Sequence, residues 1–126
     1  MNLLAIIELG GYPDFSAMYK AEGFTVTVAT SMRKALRHIK QKKPDVIVVE
    51  FNFQSDFRDR TSNLESLMAV VQPLPDVKVI VFYEKEYLHQ YEKIKSRFNI
   101  AYEFEFPVNE TDFKSAIVQC AMDISA

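Results

Sequence analysis

The chain has 126 residues, 48% hydrophobic and 25% charged, with a formal net charge of -2. That describes one ordinary globular domain over residues 1–126 and excludes both a disordered acidic chain and a general polyanion binder. A chain of this length buries about two-thirds of its unfolded surface, so it needs no disulfide or metal staple.

The opening stretch, MNLLAIIELGG, carries a short apolar run without a basic leader or a small-residue cleavage site, and it is far too short to cross a bilayer. Its apolar part, 3–9, predicts a first strand. Gly10-Gly11 then turns the chain into a helix opening at Pro13. Phe15, Met18, Tyr19 and Glu22 follow at helical spacing, and Gly23 stops the run. Residues 24–30 predict a second strand. Ser31 caps a second helix with Met32, Ala35, Leu36 and Ile39 on one face, ended before Pro44. Residues 46–51 predict a third strand. Ser62-Asn63-Leu64-Glu65 reads as a capping box ahead of the stripe Leu64, Leu67, Met68 and Val71. Residues 77–83 predict a fourth strand, followed by the stripe Tyr87, Tyr91, Ile94 and Phe98. Residues 101–106 predict a fifth, and Asn109 caps a last helix with Phe113, Ile117, Cys120 and Ile124 inward.

Strands alternating with helices imply a parallel sheet covered on both faces, with right-handed crossovers. Five units are too few for a closed eight-stranded barrel. The expected fold is therefore an α/β, doubly wound (βα)5 sandwich of strand order 2-1-3-4-5. Sites in such folds lie at the carboxyl ends of the strands. Here those ends are 8–11, 30, 50–53, 82–84 and 106–107, and they include Glu50, which closes the apolar run VIVV.

With VIVVEFN as a third strand, SMRKALRHIKQKKPD as a second helix and its exit, and FPVNETDF as a fifth-strand exit, nearly the whole chain resembles the receiver domain of bacterial two-component response regulators. The resemblance implies a cis bond before Pro107 and a set of five groups. An acidic pair and a phosphoaccepting Asp hold Mg²⁺, and a Ser or Thr and a Lys contact the phosphoryl group, whose spread negative charge needs cations. By resemblance the acidic-pair positions are Glu8 and Leu9, the phosphoacceptor position is Glu50, the Ser/Thr position is Phe82 and the Lys position is Phe106. The switch aromatic falls at Glu103, beside Tyr102. Most of the reactive set is thus lost. Glu50 is also one methylene longer than Asp and overshoots an in-line geometry. The resemblance then implies an atypical signalling domain that acts by protein interaction without the phosphorelay. Its partner or homodimer face lies around Glu84, Lys85, Lys93, Glu103, Asp112 and Lys114. The rival reading is a divergent phosphoacceptor using Glu50, Asp56 or Asp59. A third is a small-ligand site at the strand ends with Gly10-Gly11 as an anion nest.

Each single feature also has a plain reading. Glu50 reads as a partly solvated strand end more readily than as a reactive centre, with Glu8 its neighbour across strands one and three. A weak Mg²⁺ or Ca²⁺ site from Glu8, Glu50 and the Asn52 backbone is the low-ranked alternative, and the expectation is no cofactor. Phe51, Phe53 and Phe57 read as a plug over the vacated pocket, with Phe82 and Phe106 filling the same space, because large rings are costly to expose. Arg33, Lys34, Arg37, Lys40, Lys42 and Lys43 hold six of the 15 Lys and Arg. They read as a solvated helix side before an acidic partner or nucleic acid, since no aromatics interleave them. Glu103 and Glu105 guard an edge strand. A head-to-tail contact between these acids and the basic helix is a further expectation, weakened by salt. His38 and His89 lack zinc spacing. Cys120, the single cysteine, reads as core, and a reducing, cytoplasmic location fits. No nucleophile–base constellation supports an enzyme.

Overall fold

Five short runs of branched and aromatic residues form one parallel sheet in the computed structural model, which describes residues 1–8, 12–51 and 63–125. The strands are β1 (Asn2–Ile6), β2 (Thr25–Ala29), β3 (Val46–Glu50), β4 (Lys78–Tyr83) and β5 (Tyr102–Glu105). They lie in the expected order β2-β1-β3-β4-β5, every neighbouring pair parallel. The crossover helices are α1 (Ser16–Ala21), α2 (Met32–Gln41), α3 (Asn63–Val71), α4 (Leu88–Lys95) and α5 (Glu110–Ser125). Among the described residues, no helix is long and apolar enough to cross a membrane.

The period of two along each strand sorts its side chains between two cores. On one face Leu4, Ile6, Ile47, Val49, Val79 and Val81 pack with residues of α2, α3 and α4. On the other, Leu3, Ala5, Val46, Val48, Ile80 and Phe82 pack with residues of α1 and α5. Central β3 is buried along its whole length, as a run without alternation should be. Glu50 falls on the same face as Val48, two residues earlier, and so points toward the α1 and α5 side.

Three caps form as the sequence leads one to expect. Ser31 Oγ accepts the Lys34 N–H at 3.2 Å, and Asn109 Oδ1 accepts the Asp112 N–H at 3.0 Å. Gly23 leaves α1 with φ +93, a conformation that L side chains resist, and a Cβ there would stand 3.3 Å from Met1 Cε. The peptide bond between Phe106 and Pro107 is cis.

Other local expectations need correction. The first strand ends at Ile6, and the first helix begins at Ser16 rather than Pro13. Asp14 Oδ1 accepts the Ser16 N–H at 2.9 Å, so an Asx turn sets the start and Pro13 stays in the approach. In the capping box, Ser62 lies outside the described residues. Glu65 meets Arg97 across the surface at 3.4 Å. A 3-10 turn over Lys85–Tyr87 leads into α4.

Tyr91 of α4 is fully buried, stacked on Tyr83 at 4.9 Å and tilted on Phe51 at 5.4 Å. Its hydroxyl has no hydrogen-bond partner among the described residues. A buried hydroxyl without a partner carries a desolvation cost with no return. Tyr91→Phe should therefore unfold at an equal or higher urea midpoint than the unaltered chain. Tyr91→Ala, which empties the ring site, should lose about 3–5 kcal/mol in the same titration.

Candidate functional site

The carboxyl ends of β1, β3, β4 and β5 meet at one rim, and Glu50 is its deepest polar group. Its residue is only 4% exposed. A carboxylate so far from water needs donors. Glu50 Oε1 accepts the Glu8 backbone N–H at 2.7 Å, an interaction across the β1–β3 pair. The expectation of a partly solvated strand end is thus corrected: the side chain turns inward and ties the exit of β1 to the end of β3.

Asn63, the first residue of α3, completes the arrangement. Its Nδ2 donates to Glu8 Oε1 at 2.9 Å and to the Glu50 backbone oxygen at 2.7 Å. One side-chain amide thereby joins two strand ends and a helix start. Sequence reading placed Asn63 inside a capping box and missed this bridge. An Asn at a helix start facing two acids would have been the signal.

Phe82 is paired in register with Glu50 and is 4% exposed. Its ring lies 5.0 Å from Phe113, 6.2 Å from Phe15 and 6.4 Å from Phe104. Tyr12, which no sequence pattern singles out, covers Phe82 at 5.2 Å and meets Phe106 edge-on at the same distance. Such tilted and edge-on ring pairs suit the aromatic quadrupole. Desolvation, then the charges of Glu84 and Glu50, push the Tyr12 phenol well above the ordinary tyrosine range. Tyr12 is therefore neutral here and serves as a lid with a polar tip.

The expected aromatic plug is only partly found. Phe51 is buried, but it packs with Tyr91 on the opposite face of the sheet from Phe82. Phe106 is 40% exposed, held at the rim by Tyr12 alone among the ring contacts of the described residues. Phe51 and Phe82 therefore do not share one space, whereas Phe82 and Phe106 both meet Tyr12. Phe53 and Phe57 lie outside the described residues, as do Leu9, Gly10-Gly11, Asn52, Asp56 and Asp59.

Between Tyr12, Phe15, Tyr19, Val48, Glu50 and Phe82 a cavity of about 20 Å³ is left. That suits about one water molecule. A far larger hollow, about 740 Å³, opens at the amino ends of the strands between Lys43, Asp45, Lys78, Asn99 and Asp123. The small-ligand reading placed its site at the carboxyl ends, where the described residues leave the lesser space. Among the described residues no group of three His, Cys, Asp or Glu is placed to hold a metal ion.

At the β5 edge, Glu103 pairs with Lys95 of α4 at 2.5 Å, at the position where the resemblance calls for an aromatic. Lys95 also lies 6.0 Å from the centre of the Tyr91 ring. Glu84, Lys85, Lys93, Asp112 and Lys114 are exposed around this edge. Desolvation, then Glu86 and Glu50, hold the Glu84 carboxyl above its usual range.

Asn63→Ala, which leaves the Glu8 and Glu50 acceptors without that amide, should cost about 1–3 kcal/mol in urea denaturation. For Glu84 the sign follows from its raised value. The folded chain holds the proton more tightly than the unfolded chain. The group therefore favours folding below the usual carboxylate range, and that contribution is lost as pH rises through the folded value. Carboxyl NMR titration should place Glu84 above an ordinary glutamate, and Glu86→Gln should bring it down.

No family model matches the sequence, and no curated protein matches it either. Solved structures do match its shape. A CheY-like response regulator receiver domain protein from Methanospirillum hungatei JF-1 superposes with a TM-score of 0.77 at 15% identity, over 97% of this chain and 94% of that one. A response regulator receiver domain protein from Clostridium thermocellum gives 0.75 at 17% identity, over 98% and 96%. A variant of the anti-anti-sigma factor PhyR from Bartonella quintana gives 0.68 at 19%, over 98% of this chain and 49% of that one. Together with the strand order and the rim of β1, β3, β4 and β5, these likenesses establish that the chain has the fold of a response regulator receiver domain.

Proposed function

We propose that this is a receiver-like signalling domain that works by binding another protein and does not take up a phosphoryl group. The observation that carries the reading is the internal tie of Glu50 to the Glu8 N–H at 2.7 Å. A phosphoacceptor must present its carboxylate to a donor in solution, and this one is buried and turned onto backbone. Phe82 and Phe106 occupy the hydroxyl and ammonium positions of the resemblance. Neither can balance the charge of a phosphoryl group. The Mg²⁺ of phosphorylated receivers also fits poorly. One oxygen of Glu8 and one of Glu50 already accept N–H donors, and the sequence offers Leu9 where a second acid would stand.

The partner surface in this reading is the exposed side of α4, β5 and α5, with Glu84, Lys85, Lys93, Glu103, Asp112 and Lys114. Glu103 enters it already neutralised by Lys95, a pair exposed enough to exchange for a partner's charges at small cost. A reducing, cytoplasmic setting for buried Cys120 also belongs to the proposal.

Incubation with Mg²⁺ and acetyl phosphate, or with beryllofluoride, tests the reading by intact mass and by ¹⁹F NMR. Unchanged mass and no bound fluoride signal are expected. A specific adduct abolished in Glu50→Gln would overturn the proposal in favour of a divergent phosphoacceptor.

A further inference from the structure

Charge in this chain is segregated. Arg33, Lys34, Arg37, Lys40, Lys42 and Lys43 are all exposed on α2 and the turn after it. They leave nine Lys and Arg to face seventeen Asp and Glu in the rest of the chain. No Asp or Glu occurs from residue 23 to residue 44. The ion pairs of the described residues use Lys78, Lys95 and Arg97, and none of the six. Among the described residues, Lys43 alone of the six makes a side-chain hydrogen bond, donating to the Pro75 oxygen at 3.0 Å.

Two local rules are broken to build this face. Arg33 and Lys34 stand in the first turn of α2, where the helix dipole favours acids, and that turn contains none. Arg33 and Arg37 lie four residues apart, where like charges repel. A face required only to be solvated would carry neither cost, because a few acids would serve it as well.

The opposite sign gathers at the far edge of the sheet. Glu84, Glu86 and Glu105 are exposed at the carboxyl ends of β4 and β5, and none is in an ion pair among the described residues. Of the two acids that sequence reading named for this contact, Glu103 and Glu105, the first is taken by Lys95. Lys85 stands between Glu84 and Glu86 in the chain without pairing with either within the described residues. Meanwhile α2 packs on β1 and β2 at the other edge. Nucleic acid fits the basic face less well. α2 has no Phe, Tyr or Trp to stack on bases, and the net acid elsewhere repels phosphates.

We infer that α2 docks on a second copy of this chain, its cations meeting the Glu84, Glu86 and Glu105 end of the neighbour. Because the two surfaces sit at opposite edges of one sheet, the contact is heterologous. It repeats head to tail and does not close as a two-fold dimer. The inference stands apart from the phosphorylation reading and goes beyond it.

Light scattering after sizing chromatography, over a range of loading concentrations, tests this. At low ionic strength the mass should climb past that of a dimer as concentration rises. At about 0.5 M salt it should fall to the monomer, since exposed charges are then screened within a few ångströms. The double variant Arg33→Glu/Arg37→Glu and the double variant Glu84→Lys/Glu86→Lys should each stay monomeric at low salt. Mixed in equal amounts they should associate again, because each then supplies the sign the other lost. All four substituted residues are exposed, and far-UV circular dichroism checks that the variants fold. A mass of 14.6 kDa at every concentration would overturn the inference. So would a closed dimer indifferent to Arg33→Glu/Arg37→Glu, or a chain that binds duplex DNA through Arg33 and Arg37 without self-association.

Discussion

A carboxylate at the end of a fully buried strand can stay there only if the chain brings donors to it, and that requirement organises the rim of this fold. β3 is covered on both faces, so Glu50 has no short path to water. The Glu8 N–H reaches it because β1 and β3 are parallel neighbours in register. Asn63 then spans Glu8 and the Glu50 backbone, which fixes where α3 begins. The apolar neighbours follow the same logic. With Glu50 held toward the α1 and α5 side, Phe82 is free to join Phe15, Phe104 and Phe113, and Tyr12 closes the layer from above.

Much of the architecture was legible in the residues, for a definite reason. Strand order and helix faces depend on apolar periodicity, which the stripe Leu64, Leu67, Met68 and Val71 states locally, and all four are buried. The caps at Ser31 and Asn109 are local too, since a side chain three residues away from its donor needs no tertiary information. What could not be read is what depends on two distant segments at once. The Glu50 to Glu8 bond spans 42 residues and the Asn63 to Glu8 bond 55. Whether a strand-end acid is solvated or satisfied is decided by such partners and not by its neighbours in sequence. The start of α1 was misplaced for a smaller reason: Pro13 and Asp14 both favour a helix start, and the Asx turn at Asp14 prevailed.

The two sides of the sheet also differ in how they treat polarity. Toward α4 a charged pair, Glu103 and Lys95, lies over the stacked Tyr83 and Tyr91. Toward α1 and α5 the rings of Phe15, Phe82 and Phe113 pack on one another, with the tied-down Glu50 at their edge. A partner at the α4 side meets groups that can exchange one ion pair for another. Rearrangement within the ring layer would have to break close packing, which is costly. The plastic surface and the rigid layer are thus separated by a single thickness of sheet.

The pair of hydrogen bonds donated by Asn63 has a bearing on sequence tolerance. It returns the start of α3 to the strand end that the chain left at Glu50, thirteen positions earlier. Position 63 therefore tolerates little besides Asn, because one amide there serves two acceptors on two strand ends.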